Sequence, residues 1–172
     1  MLKKLVWMAW VLIAIPGARQ VSAAAPIQVP MMVIHGETHI AASPAVVWAY
    51  LTTGKNFATW CPAWKATRNT RINIMRVGDV LDFMDEWGNG GRSIVTYCVQ
   101  NSELRIAHEP NKGDYVCQAK IVLMPASGGT TVSFWDRYTD TSAPGDLEAT
   151  WAKMQGSTDQ SLAALKKALE TK

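Results

Sequence analysis

Ile40-Ala41-Ala42-Ser43-Pro44-Ala45-Val46-Val47-Trp48-Ala49-Tyr50-Leu51-Thr52, with Trp60-Cys61-Pro62-Ala63-Trp64 a few residues on, decide how this chain folds. The segment reads as the end of a strand, a short helix behind a Ser-Pro cap, and an aromatic hinge into a further strand. Ser43 is suited to accept a backbone N–H as N-cap, and Pro44 suits the first helical position, where its missing N–H costs nothing. Gly54 is placed to stop the helix in a left-handed conformation. Val47, Trp48, Tyr50 and Leu51 give the helix a wide apolar face, which Phe57, Trp60 and Trp64 extend past its end. That much aromatic surface on a short helix requires a large partner to cover it.

The flanking sequence supplies the partner. Residues 32–40 alternate, with Ile34, Thr38 and Ile40 on one face and His35, Glu37 and His39 on the other, which predicts a half-buried strand. Beyond Trp64, strand patterns recur over 65–75, 80–87, 92–101, 104–109, 115–124 and 130–139, separated by short Gly- and Asn-rich turns. Connections of that kind predict hairpins, hence an antiparallel sheet. The period then changes: Leu147, Trp151, Met154, Thr158, Leu162, Leu165 and Leu169 step by three or four, predicting an amphipathic helix of about six turns. The expected fold class is α+β, with a seven-stranded antiparallel sheet, two short helices after the first strand and a long C-terminal helix.

The first residues read as an address. Met1-Leu2-Lys3-Lys4 is a positive start, Leu5–Ile15 an apolar run too short for a membrane span, and Val21-Ser22-Ala23-Ala24-Ala25 a small-residue cleavage region. Residues 1–23 are therefore expected to be a cleaved signal peptide, and 24–172 a single exported domain, periplasmic or extracellular, with no stable membrane anchor after cleavage. Removing Lys3, Lys4 and Arg19 from the 17 basic residues leaves 14 against 14 acidic ones. A neutral mature chain lacks the basic footprint that nucleic-acid binding needs. Its size suits one hydrophobic core. Oligomeric state is left open.

The residues Ile40-Ala41-Ala42-Ser43-Pro44 with Val47-Trp48, the Trp60 hinge, Val77-Gly78-Asp79, Gly128-Gly129-Thr130 and the helix from Leu147 together resemble the START/SRPBCC superfamily, which includes the birch pollen allergen and polyketide cyclase/dehydrase groups. The resemblance covers nearly the whole mature chain. It implies the helix-grip fold, a curved sheet wrapped around the last helix, with an apolar cavity between them that often holds a lipid, sterol, polyketide or other hydrophobic ligand. It does not imply one function, because the same scaffold serves carriers, cyclases and regulators.

Mirroring positions about each expected turn pairs Leu81 with Cys98, Cys98 with Ile106, Ile106 with Cys117 and Cys117 with Tyr138, and residues of one such row share a face. The concave face so assembled holds Phe83 and Asp85; Ile94, Thr96 and Cys98; Ile106 and His108; Tyr115, Cys117 and Ile121; and Phe134, Asp136 and Tyr138. His108 is expected in a row with Thr96, Tyr115 and Phe83, with Asp85 diagonal to it. The candidate acid/base residues are thus His108, Asp85 and Asp136. The candidate ligand contacts are Phe57, Trp60, Phe83, Thr96, His108, Tyr115, Phe134, Tyr138 and Trp151.

Other motifs point away from chemistry. His35-Gly36-Glu37-Thr38-His39 spreads its two imidazoles by about 13 Å along a strand, too far for all three side chains to close on one ion, so no metal site is expected. Gly88-Asn89-Gly90-Gly91 precedes a strand rather than a helix and is read as a hairpin, not a phosphate cradle. No nucleophile elbow occurs. Cys98 and Cys117 are expected two strand spacings apart, about 9.5 Å, beyond disulfide reach, so Cys61, Cys98 and Cys117 are expected as free thiols. No cofactor is called for.

Two functions fit this reading. One is an exported binding or carrier protein for a hydrophobic small molecule. The alternative is an enzyme of the polyketide cyclase/dehydrase type, working through acid/base residues in the cavity.

Overall fold

Among the described residues, six strands form one antiparallel sheet in the order β1-β6-β5-β4-β3-β2, with three α-helices packed on it. The computed structural model describes residues 31–61, 73, 76–84, 88, 90–111, 115–140 and 147–171. The elements are β1 (Met31–Ile40), α1 (Pro44–Leu51), a 3-10 turn (Gly54–Asn56), α2 (Phe57–Trp60), β2 (Val80–Met84), β3 (Gly90–Val99), β4 (Glu103–Pro110), β5 (Tyr115–Ala126), β6 (Gly129–Asp140) and α3 (Leu147–Glu170). The described residues hold six strands rather than the seven expected. The expected strand over 65–75 lies outside them except for Asn73, which makes an isolated bridge with Thr53. The leader over 1–23 also lies outside the described residues.

The decisive segment forms as its sequence dictates, with two local differences. Pro44 starts α1, but Ser43 caps it through its backbone carbonyl, which accepts from Val46 and Val47, and not through its hydroxyl. Gly54 does not stop the helix. Thr52 does, and the hydroxyls of Thr52 and Thr53 turn back to the carbonyls of Trp48 and Ala49. Such back-bonding satisfies terminal carbonyls without a left-handed residue. Val47, Trp48, Leu51, Phe57 and Trp60 then join Ile40, Leu81, Val95, Leu104, Ile106, Ile121, Val132 and α3's Leu162, Leu165 and Leu169 in one core.

The helix α3 does more than cover the concave face. It runs beside the edge strand β1 and satisfies its open backbone groups. Trp151 Nε1 donates to Val33 O, Gln155 Nε2 donates to His35 O while its Oε1 accepts from His35 N, Lys166 Nζ donates to His39 O, and Glu170 Oε1 accepts from Ala41 N. Eight strand steps from Val33 to Ala41, about 26 Å, match nineteen helix steps from Trp151 to Glu170, about 28 Å. Helix and strand therefore stay in step, and an edge that would otherwise recruit another chain is closed. Gly36 makes the approach possible, since a Cβ there would lie 2.6 Å from Leu162 Cδ1.

The register corrects the expected strand rows. Cys117 pairs with Tyr138 as mirrored about the Ser127-Gly128 turn. Ile106 pairs with Ala119 rather than Cys117, and Cys98 with Leu104 rather than Ile106, shifts of two that preserve each residue's face. Leu81 pairs with Ser93 instead of Cys98, an odd shift that turns the first half of β3 over. Ser93 and Val95 face inward there, and Ile94 and Thr96 face outward. A bulge at Thr96, between Val95↔Ile106 and Tyr97↔Arg105, restores the phase so that Cys98 points inward again.

Candidate functional site

The true rows gather a polar strip across the apolar concave face. Leu81, Ser93, His108, Cys117, Tyr138 and Met32 stand in one row across all six strands. Asp136 sits one row along on β6, opposite Ala119 and Ile34. Ser93 Oγ is 3.0 Å from His108 Nδ1, and Cys117 Sγ is 3.9 Å from Asp136 Oδ1. Ser93, His108, Cys117 and Asp136 therefore follow one another over four adjacent strands, enclosed by apolar neighbours.

Aromatic groups wall this strip. Phe83 meets the His108 ring edge to face, centroids 5.8 Å apart. It can lean there because its cross-strand partner is Gly91, where a Cβ would come within 2.6 Å of the Phe83 ring. Trp60 packs against Phe57 at 5.2 Å and edge-on against Phe134 at 6.5 Å. Its Nε1 is buried and has no hydrogen-bond acceptor among the described residues. Cys61, at the end of α2, is buried close to Cys117, and Ser161 Oγ of α3 lies 3.9 Å from its sulfur.

Burial sets the charge state of the strip. It pushes the His108 imidazole down to about 4, so the ring is neutral at physiological pH, paired through Nδ1 with Ser93. It pushes the Asp136 carboxyl up to about 7, partly offset by the hydrogen bond from Cys117. The Cys117 thiol is held well above its usual range, first by burial and then by the charge of Asp136, so it is not a thiolate nucleophile. At neutral pH the strip is close to electroneutral, with one carboxyl that can take or release a proton.

Each expected site residue has a definite placement. Phe83 and His108 are buried in contact with each other, and Phe57 and Trp60 are core residues beside the strip. Phe134, Asp136 and Tyr138 lie on the inner face of β6 and are half-buried. Tyr115 opens β5 opposite Asp140, its side chain lying outside the described residues, as does Asp85 altogether. Two placements are corrected. Thr96 is exposed on the outer face, because β3 enters in the opposite phase and bulges at this residue. Trp151 does not face the concave site; it is 42% exposed and bonded to the β1 edge.

Ser93 is the member of the site that the sequence reading misses; Cys117 is placed by it on the concave face, but only as a thiol, not as a partner of Asp136. A signal for Ser93 was present: the phase that put Thr96 inside also put Arg92 inside, and an unpaired buried guanidinium is prohibitively costly. In the structure Arg92 is outside, 2.8 Å from Glu109. Among the described residues no three His, Cys, Asp or Glu side chains converge as metal ligands. His35 bonds Ser133 and stacks on Trp135. No disulfide joins Cys61, Cys98 and Cys117.

The antiparallel sheet and the long C-terminal helix packed on it together define a helix-grip protein, and comparison with known proteins agrees. Residues 31–170 match the family described as polyketide cyclase / dehydrase and lipid transport, and the chain belongs to that family. No curated protein matches the chain. Among solved structures, protein CV1439 from Chromobacterium violaceum is 17% identical with a TM-score of 0.64, covering 80% of this chain and 97% of its own. Ara h 8.0201 is 14% identical with a TM-score of 0.62, covering 83% and 100%. DynU16, a protein of the dynemicin biosynthetic locus, is 18% identical with a TM-score of 0.62, covering 81% and 47%. At these identities the likeness is one of fold.

Proposed function

We propose that the mature chain is an exported binding protein that carries an uncharged, largely hydrophobic small molecule against the concave face. The observation that carries this reading is Trp60. Its indole N–H is buried without an acceptor among the described residues, at the edge of an apolar wall beside half-buried Phe134. An orphan donor of this kind costs about 1–3 kcal/mol, and a ligand carbonyl or hydroxyl would remove that cost. The neutral His108 and the mostly uncharged strip favour a ligand without full charge. Export rests on the leader, and N-terminal sequencing of the secreted or periplasmic chain should begin near Ala24.

The neutral probe N-phenyl-1-naphthylamine should brighten on binding the folded protein, and Phe134→Ala should weaken that binding at least about tenfold. Mass spectrometry of the purified protein should find an apolar compound that the probe displaces. A folded protein that neither brightens the probe nor carries a compound refutes the proposal.

One observation favours a second reading. Asp136, half-buried on the inner face and pushed up to about 7 by desolvation, has the proton affinity of a general acid or base working near neutrality. A cyclase or dehydratase acting on a polyketone would lose turnover in Asp136→Asn and keep probe binding. A pure carrier shows no turnover in either form.

A further inference from the structure

The outer face of the sheet carries a second recess, separate from the concave site. Its cavity volume is about 680 Å³, within the roughly 300–1,000 Å³ typical of small-molecule sites. One cross-strand row, Trp135, Lys120, Arg105 and Tyr97, runs through it from β6 to β3, and His35 of β1 continues the row beside Trp135. Trp135 and Tyr97 stand three strand spacings apart, about 14 Å, with the two cations between them. Arg137, Met31 and Val33 complete the β6 and β1 end. The bulge that pushes Thr96 out of the concave face sets it in this wall together with Tyr97.

The recess is built and not merely exposed. The Trp135 ring stacks on His35 at 3.7 Å, and its Nε1 donates to Ser133 Oγ, which is also 3.0 Å from His35 Nε2. Ser133, although on the outer face, is buried beneath them, so the indole is held in one orientation. The Arg105 guanidinium lies 4.7 Å above the Tyr97 ring and is anchored by Glu103 at 2.6 Å. Lys120 shares that same carboxylate at 3.9 Å, and Arg137 has no acidic partner among the described residues. Among the described residues, three cations facing one acid leave net positive charge between two fixed aromatic walls.

We infer that this recess binds a small organic anion with an aromatic body, its acidic group held by Arg137 and Lys120 and its ring against Trp135. The concavity argues for a ligand over a bilayer, which would need a protruding surface. Aromatic and cationic walls fixed before binding lower the ordering cost that a small ligand must overcome.

2-Naphthoate and its neutral counterpart 2-naphthylmethanol, titrated by isothermal calorimetry and by amide chemical-shift mapping, test this. The naphthoate should bind, with shifts centred on Trp135, Lys120 and Arg137, weaken as salt is raised, and lose at least about tenfold in affinity in Arg137→Gln. Trp135→Leu should weaken it comparably, and N-phenyl-1-naphthylamine binding should be unchanged in both variants. Shifts confined to concave-face residues, equal binding of the alcohol, or indifference to both variants would overturn the inference. So would a lack of naphthoate binding, whether or not the protein shows Arg137-dependent binding to phosphatidylglycerol vesicles or to a poly-glutamate peptide.

Discussion

Cys117 Sγ lies 3.9 Å from Asp136 Oδ1 on the neighbouring strand, and burial raises the pKa of both groups. Asp136 titrates at about 7 in the fold against an ordinary 3.8, so between those values the native state holds the extra proton and stability falls as pH rises. His108 titrates at about 4 against an ordinary 6.5, so the unfolded state holds the extra proton there and stability rises with pH. Each slope is roughly 1.4 kcal/mol per pH unit, and the two cancel between about pH 4 and 6.5, leaving a net decline toward pH 7. Urea unfolding of Asp136→Asn should therefore show stability rising from pH 4 to 6.5 and then flat, and of His108→Gln stability falling from pH 4 to 7. An Asp136→Asn profile without that rise refutes the assignment.

Gly36 and Gly91 both admit close neighbours, and they should differ in tolerance. At Gly36 the nearest atom to an added Cβ is the flexible end of Leu162, whereas at Gly91 it is the Glu109 carbonyl at 2.4 Å, with the Phe83 ring at 2.6 Å. Gly36→Ala should cost about 1 kcal/mol and Gly91→Ala about 3 kcal/mol or more. Near-ultraviolet circular dichroism should change more for the second, as Phe83 is forced off His108. Equal costs in chemical unfolding would contradict the packing described.

Gln155 bonds both the N–H and the C=O of His35 on the sheet edge. Gln155→Ala should destabilise by about 1–2 kcal/mol and reopen a stretch of β1 to pairing. Size-exclusion chromatography with light scattering should then show concentration-dependent association absent from the parent. A variant that behaves identically at high concentration would show that the edge is protected by other means.

Trp60→Phe keeps the aromatic packing and deletes the orphan donor. Stability should stay within about 1 kcal/mol of the parent, because lost ring area and relieved desolvation oppose each other. Binding of the ketone probe 6-propionyl-2-dimethylaminonaphthalene should weaken about 5- to 10-fold, and binding of N-phenyl-1-naphthylamine, which lacks the carbonyl, much less. Equal losses for both probes would mean that the indole N–H contacts no ligand.

Legibility in the sequence followed the range of the physics involved. The Ser127-Gly128 turn is short, with Gly128 at φ +76°, and the Cys117↔Tyr138 pairing read from it is the one observed. The longer connection between β2 and β3 fixes no register, and there an odd slip exchanged Ser93 for Thr96 in the site. His108, Asp136, Phe83 and Phe134 kept their faces because every other displacement was even.

From the sequence by itself came the order of elements, the apolar faces of β1, β4, β5 and β6, the amphipathic C-terminal helix and the family resemblance. These depend on side-chain periodicity, which each segment carries internally. Only the tertiary structure decided which polar groups meet on the concave face, that Trp151 closes an edge instead of lining a cavity, and that an aromatic and cationic recess faces outward. Those depend on register, on a bulge at one residue and on where the edge-strand backbone finds its hydrogen bonds, quantities set by pairing between segments far apart in the chain.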